Sequence, residues 1–118
     1  MARIEKDSVS LTTDASGDVT GYTRAFNGRV VAVKYTKSDY TDGVDFTITN
    51  ETSGQGIWTD TNINATEIVY PRQLLDDLAG ADLTAIYDKV YLADERVKII
   101  VGSGGNAKVG TFTVYVER

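Results

Sequence analysis

Three groupings of residues could in principle do chemistry. Asp39, Asp42 and Asp45 crowd one turn, and hard oxygen ligands at short spacing suit calcium. The stretch reads Asp-Tyr-Thr-Asp-Gly-Val-Asp, without the alternating acids and distal glutamate of an EF-hand, so a solvated turn is the favoured reading. Residues 102–110 are rich in glycine, whose amides could face an anion with Lys108 adding charge. Lys108 is followed by Val109 and strand-like sequence rather than by Ser or Thr and a helix, which favours a flexible hairpin tip over a phosphate loop. The carboxylate pairs Asp76/Asp77 and Asp94/Glu95 are adjacent, so in a helix or a strand their side chains diverge and neither pair is preformed for acid–base work.

The composition narrows the chemistry further. With no His and no Cys, the commonest general base, the thiolate nucleophile and the usual zinc ligands are missing. A Ser or Thr nucleophile would need a lysine base that no motif announces, and there is no Gly-x-Ser-x-Gly elbow. These features lead to the expectation of a non-enzymatic protein with no catalytic residue, no metal and no cofactor. Asn50-Glu51-Thr52 and Asn64-Ala65-Thr66 match the glycosylation sequon by chance.

The aromatics suggest recognition instead. Arg29, Lys34, Tyr35 and Lys37 share one strand-like run, but parity sets Lys34 opposite Tyr35, and the net charge of −5 opposes nucleic acid. Trp58 near Asp60, Asn62 and Asn64 could form a sugar site, against its reading as a core or interface anchor. Ile100, Tyr115 and Tyr91 are apolar groups at outward-facing positions; they either lie under another element or mark a protein–protein contact. Ile100, Tyr115, Tyr91 and Trp58 are therefore the interface candidates.

The elements that must position these groups are mostly strands. Residues 28–37 are β-branched and aromatic, and residues 44–49 alternate with Val44, Phe46 and Ile48 inward. Residues 63–70 run extended to the single proline, Pro71. Leu74, Leu75 and Leu78 have helical spacing before Gly80, which predicts one short helix or turn near residues 72–79. Period two returns over residues 97–101 and again near the C-terminus, where Phe112, Val114 and Val116 face inward; these two runs read as a hairpin. Residues 1–21, rich in Ser, Thr, Asp and Gly, read as a flexible N-terminal arm. The expectation is a single all-β domain over residues 1–118, an antiparallel β-sandwich or jelly-roll-like barrel of about seven or eight strands.

Size and charge agree with that. Area scaling for a chain of 118 residues gives about 6,300 Å² exposed when folded. Basic and acidic residues number six and eight over residues 1–59 and six and nine over residues 60–118, so neither half is a charged tail. Arg3, Glu5, Lys6 and Asp7 stand where a signal peptide would place its apolar stretch, and no run approaches a membrane span, so synthesis in a cytoplasm and no membrane partner are expected.

Several stretches resemble a group of small proteins encoded among the virion structural genes of tailed bacteriophages. The similarity rests on Tyr40-Thr41-Asp42-Gly43-Val44-Asp45-Phe46-Thr47-Ile48-Thr49, on Glu51-Thr52-Ser53-Gly54-Gln55-Gly56-Ile57-Trp58, and on Asn62-Ile63-Asn64-Ala65 leading to Pro71-Arg72. It continues in Glu95-Arg96-Val97-Lys98-Ile99-Ile100-Val101 and in Gly104-Gly105-Asn106-Ala107-Lys108-Val109-Gly110-Thr111, covering roughly residues 35–118. The resemblance implies a virion structural protein of the capsid decoration or cement kind, often a homotrimer, seated on the capsid surface against the major capsid protein or other virion proteins. The other placements it implies are a head–tail connector or a tail protein. A carbohydrate-binding or adhesin-like module, resting on Trp58, is the alternative from another class.

Overall fold

Strict alternation decides where the core lies. Along β3 (Val44–Asn50) and β9 (Val109–Glu117) the side chains of Val44, Phe46, Ile48, Phe112, Val114 and Val116 are all buried, as their spacing requires. The computed structural model describes residues 3–118 and contains seven further strands. They are β1 (Ile4–Thr12), β2 (Val19–Thr36), β4 (Gly56–Ile63), β5 (Glu67–Val69), β6 (Gln73–Asp76), β7 (Asp82–Asp88) and β8 (Val90–Gly102).

Seven strands form one antiparallel sheet in the order β1-β9-β2-β8-β3-β4, with β5 added along β2. The sheet folds over on itself because β2 belongs to both layers. Its first half pairs with β8 from Val19 to Val30, and its second half pairs with β9 from Arg29 to Thr36. Register shifts near Ala25, Asn27 and Ala32 bend the strand, and Gly28, at φ +140°, sits at the crossing. The outcome is a two-layered sandwich, β1-β9-β2-β5 over β2-β8-β3-β4, with a folded surface of 6450 Å².

An aromatic cluster ties the layers together. Phe46 of β3 meets Tyr35 of β2 at 4.7 Å and Phe112 of β9 at 4.9 Å between ring centroids, both edge to face. Trp58 packs on the far edge of Phe46 at 5.5 Å. Tyr40 covers Gly110, where any β-carbon would lie 2.4 Å from the ring, and donates to the Leu11 carbonyl at 2.7 Å. Burial, then the neighbouring Tyr35, pushes its phenol up to about 12.

Three sequence expectations are corrected here. The runs ending in β8 and β9 do not form a hairpin, because β2 lies between them. Of the helix or turn expected near residues 72–79, the helix is absent and the turn is present: β6 is a strand, and residues 77–80 form the turn into β7, closed by Asp77, whose Oδ1 accepts from the amides of Ala79 and Ala81. Of residues 1–21, the first two lie outside the described residues. Residues 4–12 form β1, in register with β9 from Ile4–Glu117 to Thr12–Val109, and residues 19–21 open β2.

One buried carboxylate holds a turn whose role the sequence does not announce. Asp94 adopts φ +50° and turns Glu95 inward, where Oε1 accepts from the amides of Thr52 at 3.1 Å and Ser53 at 3.2 Å. Glu95→Ala strips the β3–β4 turn of these acceptors, and a loss of about 1–3 kcal/mol is expected in urea unfolding. An unchanged midpoint would remove Glu95 from this role.

Candidate interaction surfaces

Period two leaves each layer with an outer face, and the sequence candidates divide between the two. Ile100 of β8 alternates with buried Ile99 and Val101 and stands 38% exposed between Thr20 of β2 and Thr47 of β3. Beside it, Arg96 lies over the Tyr22 ring at 4.1 Å and pairs with Glu51. That hydrogen-bonded pairing holds the Glu51 carboxyl below its usual range, against some desolvation.

Tyr115 lies on the opposite outer face. It alternates with buried Val114 and Val116, is half-buried, and has Lys6 of β1 and Ala32 of β2 on either side in register. The next row across this face is Ser8, Thr113, Lys34 and Ile68. Lys6 and Lys34 have no ion-pair partner among the described residues. At one end of the layer, Glu5 collects Arg3, Arg24 and Arg118. Desolvation opposes ionisation there, but the three hydrogen-bonded guanidinium groups outweigh it and lower the Glu5 pKa.

Tyr91 stands near the crossing of the layers, 58% exposed, with Arg29 donating to its hydroxyl at 3.3 Å. Trp58 is 8% exposed and in register with Ile48 on the inward side, so of its expected roles it occupies that of core anchor. The sugar reading loses its platform. Asp60, Asn62 and Asn64 are exposed, but the Trp58 ring is not presented beside them, and Asn64 Oδ1 is engaged by the Gly43 amide. The four candidates are therefore spread over two faces, one junction and the core rather than gathered into one site.

The other groupings resolve into structural parts. Asp39 Oδ1 accepts from the Val109 amide, Asp42 pairs with Lys37, and Asp45 Oδ1 accepts from the Asn62 amide, so the three carboxylates point to three different partners. Residues 102–108 are stitched down rather than forming a free tip: the Gly104 amide donates to Gly17, that of Ala107 to Asp14 and that of Lys108 to the Thr13 hydroxyl. Those amides are committed and do not face an anion. Asn50 is buried and donates to the Tyr91 carbonyl, which fits the chance reading of its sequon. Among the described residues there is no enclosed pocket and no group of three metal-ligating side chains.

What sequence reasoning missed is the β6–β7 hairpin. It leaves the sandwich after β5 and re-enters at Val90, and from Asp76 to Asp88 every residue except Leu83 is exposed. Leu78 at the turn is fully exposed, with Ile86 and Tyr87 behind it. Asp76 and Asp82 face one another in register, and hydrogen bonding with Asp82, then desolvation and the charge of Asp82, raise the Asp76 pKa. The signal that could have revealed it is the Asp77-Leu78-Ala79-Gly80 turn between two short runs that each begin or end on Asp.

No protein-family model matches the sequence, and no curated protein matches it significantly. Among solved structures, the chain is similar to a chain of the cyanophage Pam1 capsid asymmetric unit, with a TM-score of 0.50 and 13% identity over 98% of this chain and 82% of that one. At that identity the likeness is one of fold.

Proposed function

We propose that this chain is a structural component of a bacteriophage virion, and within it a decoration or cement protein on the outside of the head lattice. The observation that carries the reading is the fold shared, almost end to end, with a chain of a phage capsid asymmetric unit. The two broad outer faces and the projecting apolar hairpin support it, because a protein that bridges lattice neighbours works through repeated surface contacts rather than through a cleft. Its partners on this reading are other virion proteins and further copies of itself, and it makes or breaks no bond.

Incubation of the purified chain with phage heads that lack it tests the reading. Uptake in fixed stoichiometry, co-sedimentation and a higher disruption temperature of the loaded heads are expected. Antibody labelling across the head facets supports the decoration role; labelling confined to one vertex or to the tail moves the protein to the connector or tail. A chain that stays in the supernatant and is missing from purified virions overturns the reading.

A further inference from the structure

The β6–β7 hairpin has no layer to rest on. A two-stranded hairpin is marginal in water by itself, and this one exposes Leu78, Ile86 and Tyr87 where a monomer would place polar side chains. Its charge is one-sided. Residues 73–88 hold Asp76, Asp77, Asp82 and Asp88 and no Lys or Arg. The outer face of β1-β9-β2 is its complement, since Lys6 and Lys34 stand without ion-pair partners among the described residues, beside Tyr115 and exposed Ile68. The opposite face carries one lysine without an ion-pair partner among the described residues, Lys98 beside Ile100, but fits less well because its other cation, Arg96, is already paired with Glu51 and stacked on Tyr22.

We propose that the β6–β7 hairpin of one copy docks across the Lys6–Tyr115–Lys34 face of a second copy. The apolar groups of the hairpin cover Tyr115 and Ile68, and its aspartates meet the two lysines. Hairpin and face are different patches, so the contact is head to tail: each added copy leaves one hairpin and one face unused until a ring closes. The hairpin springs from the β5 edge of the layer, and the four extended residues of β6, Gln73–Asp76, carry its turn about 13 Å outward, enough to lie over a neighbour's sheet. This inference rests on the reading above of a protein that acts in repeated copies. It is tested on the isolated chain, so its failure is separate from a failure to bind heads.

The full chain is measured by light scattering and sedimentation equilibrium at about 1–100 μM. A closed oligomer, some whole multiple of 12.8 kDa, is expected, and added salt should weaken it. Asp82→Lys with Asp88→Lys, or Lys6→Glu with Lys34→Glu, should each raise the dissociation constant at least about tenfold with an unchanged circular dichroism spectrum. The chain carrying all four changes should recover the oligomer, a result that misfolding cannot produce. Ile100→Ser on the opposite face should leave the mass unaltered. A wild-type chain that is monomeric at about 100 μM, a Lys6→Glu/Lys34→Glu variant of unchanged mass, or dissociation by Ile100→Ser overturns the proposal.

Discussion

Gly28→Ala is expected to destabilise the chain by about 4 kcal/mol, enough to remove much of the ~5–15 kcal/mol that holds a small domain together. Two independent costs meet at this position. At φ +140° a residue with a side chain carries backbone strain of about 1–3 kcal/mol. A β-carbon there would also stand 2.2 Å from the backbone carbonyl oxygen of Glu117, and overpacking costs about 1–3 kcal/mol more. The oxygen cannot retreat cheaply, because Glu117 is in register with Arg29 on one side and with Ile4 on the other, and its side chain pairs with Lys89. Urea unfolding followed by circular dichroism reads the loss as a shifted midpoint at constant slope. Gly56→Ala is the control: its β-carbon would meet nothing within 4 Å, so a change within about 0.5 kcal/mol of zero is expected. Equal midpoints for the two variants would mean that the crossing of β2 does not depend on this glycine.

That crossing also explains which parts of the molecule the sequence reveals. Parity within a strand is local, so Val44, Phe46 and Ile48, and likewise Phe112, Val114 and Val116, could be assigned inward from spacing alone. Strand order is not local. β1 pairs with β9 across almost the whole length of the chain, from Ile4–Glu117 to Thr12–Val109, and nothing in the Ser/Thr-rich run from Asp7 to Thr12 names its partner. Gly21 and Gly28 look like strand ends, yet both lie inside the eighteen residues of β2; Gly21 is there because the Leu11 side chain occupies the space its β-carbon would need. An arm that ends at Gly21 and a strand that starts at Gly28 leave the first half of β2 unplaced, and with it the strand that separates β8 from β9. The hairpin was hidden differently. Leu74, Leu75 and Leu78 have helical spacing by coincidence, and it takes the pairing of Gln73, Leu74 and Asp76 with Asp88, Tyr87 and Asp82 to show that the segment is extended. Of the surface candidates, Ile100 and Tyr115 were legible because parity exposes them, whereas Leu78, Ile86 and Tyr87 required knowing that no layer covers them.

Phe46→Ala should cost about 3–5 kcal/mol, the range for deleting a fully buried phenylalanine. Phe46 is 1% exposed and is the ring through which β3 of one layer meets β2 and β9 of the other, so its removal empties the centre of the interlayer contact. The cavity is hard to fill. Its walls are Tyr35, Phe112 and Trp58, themselves held in strands by register, and each edge-to-face partner also loses an interaction of about 0.5–1.5 kcal/mol that the deletion figure includes. Trp58 reports the change directly: with Phe46 gone from its edge, the indole gains mobility and water access, and its emission should move to the red in the still-folded variant. Phe46→Leu, which keeps most of the apolar volume, should recover at least half of the lost stability. The consequence for assembly is separable. The Tyr115 face belongs to β9 and the Ile100 face to β8, so loosening the interlayer contact lets the two outer faces move relative to each other without altering either surface. An interaction read from one face, such as hairpin docking on Lys6 and Lys34, should then persist in Phe46→Leu at wild-type strength. A Phe46→Ala loss below about 1.5 kcal/mol would show that the layers are held together elsewhere.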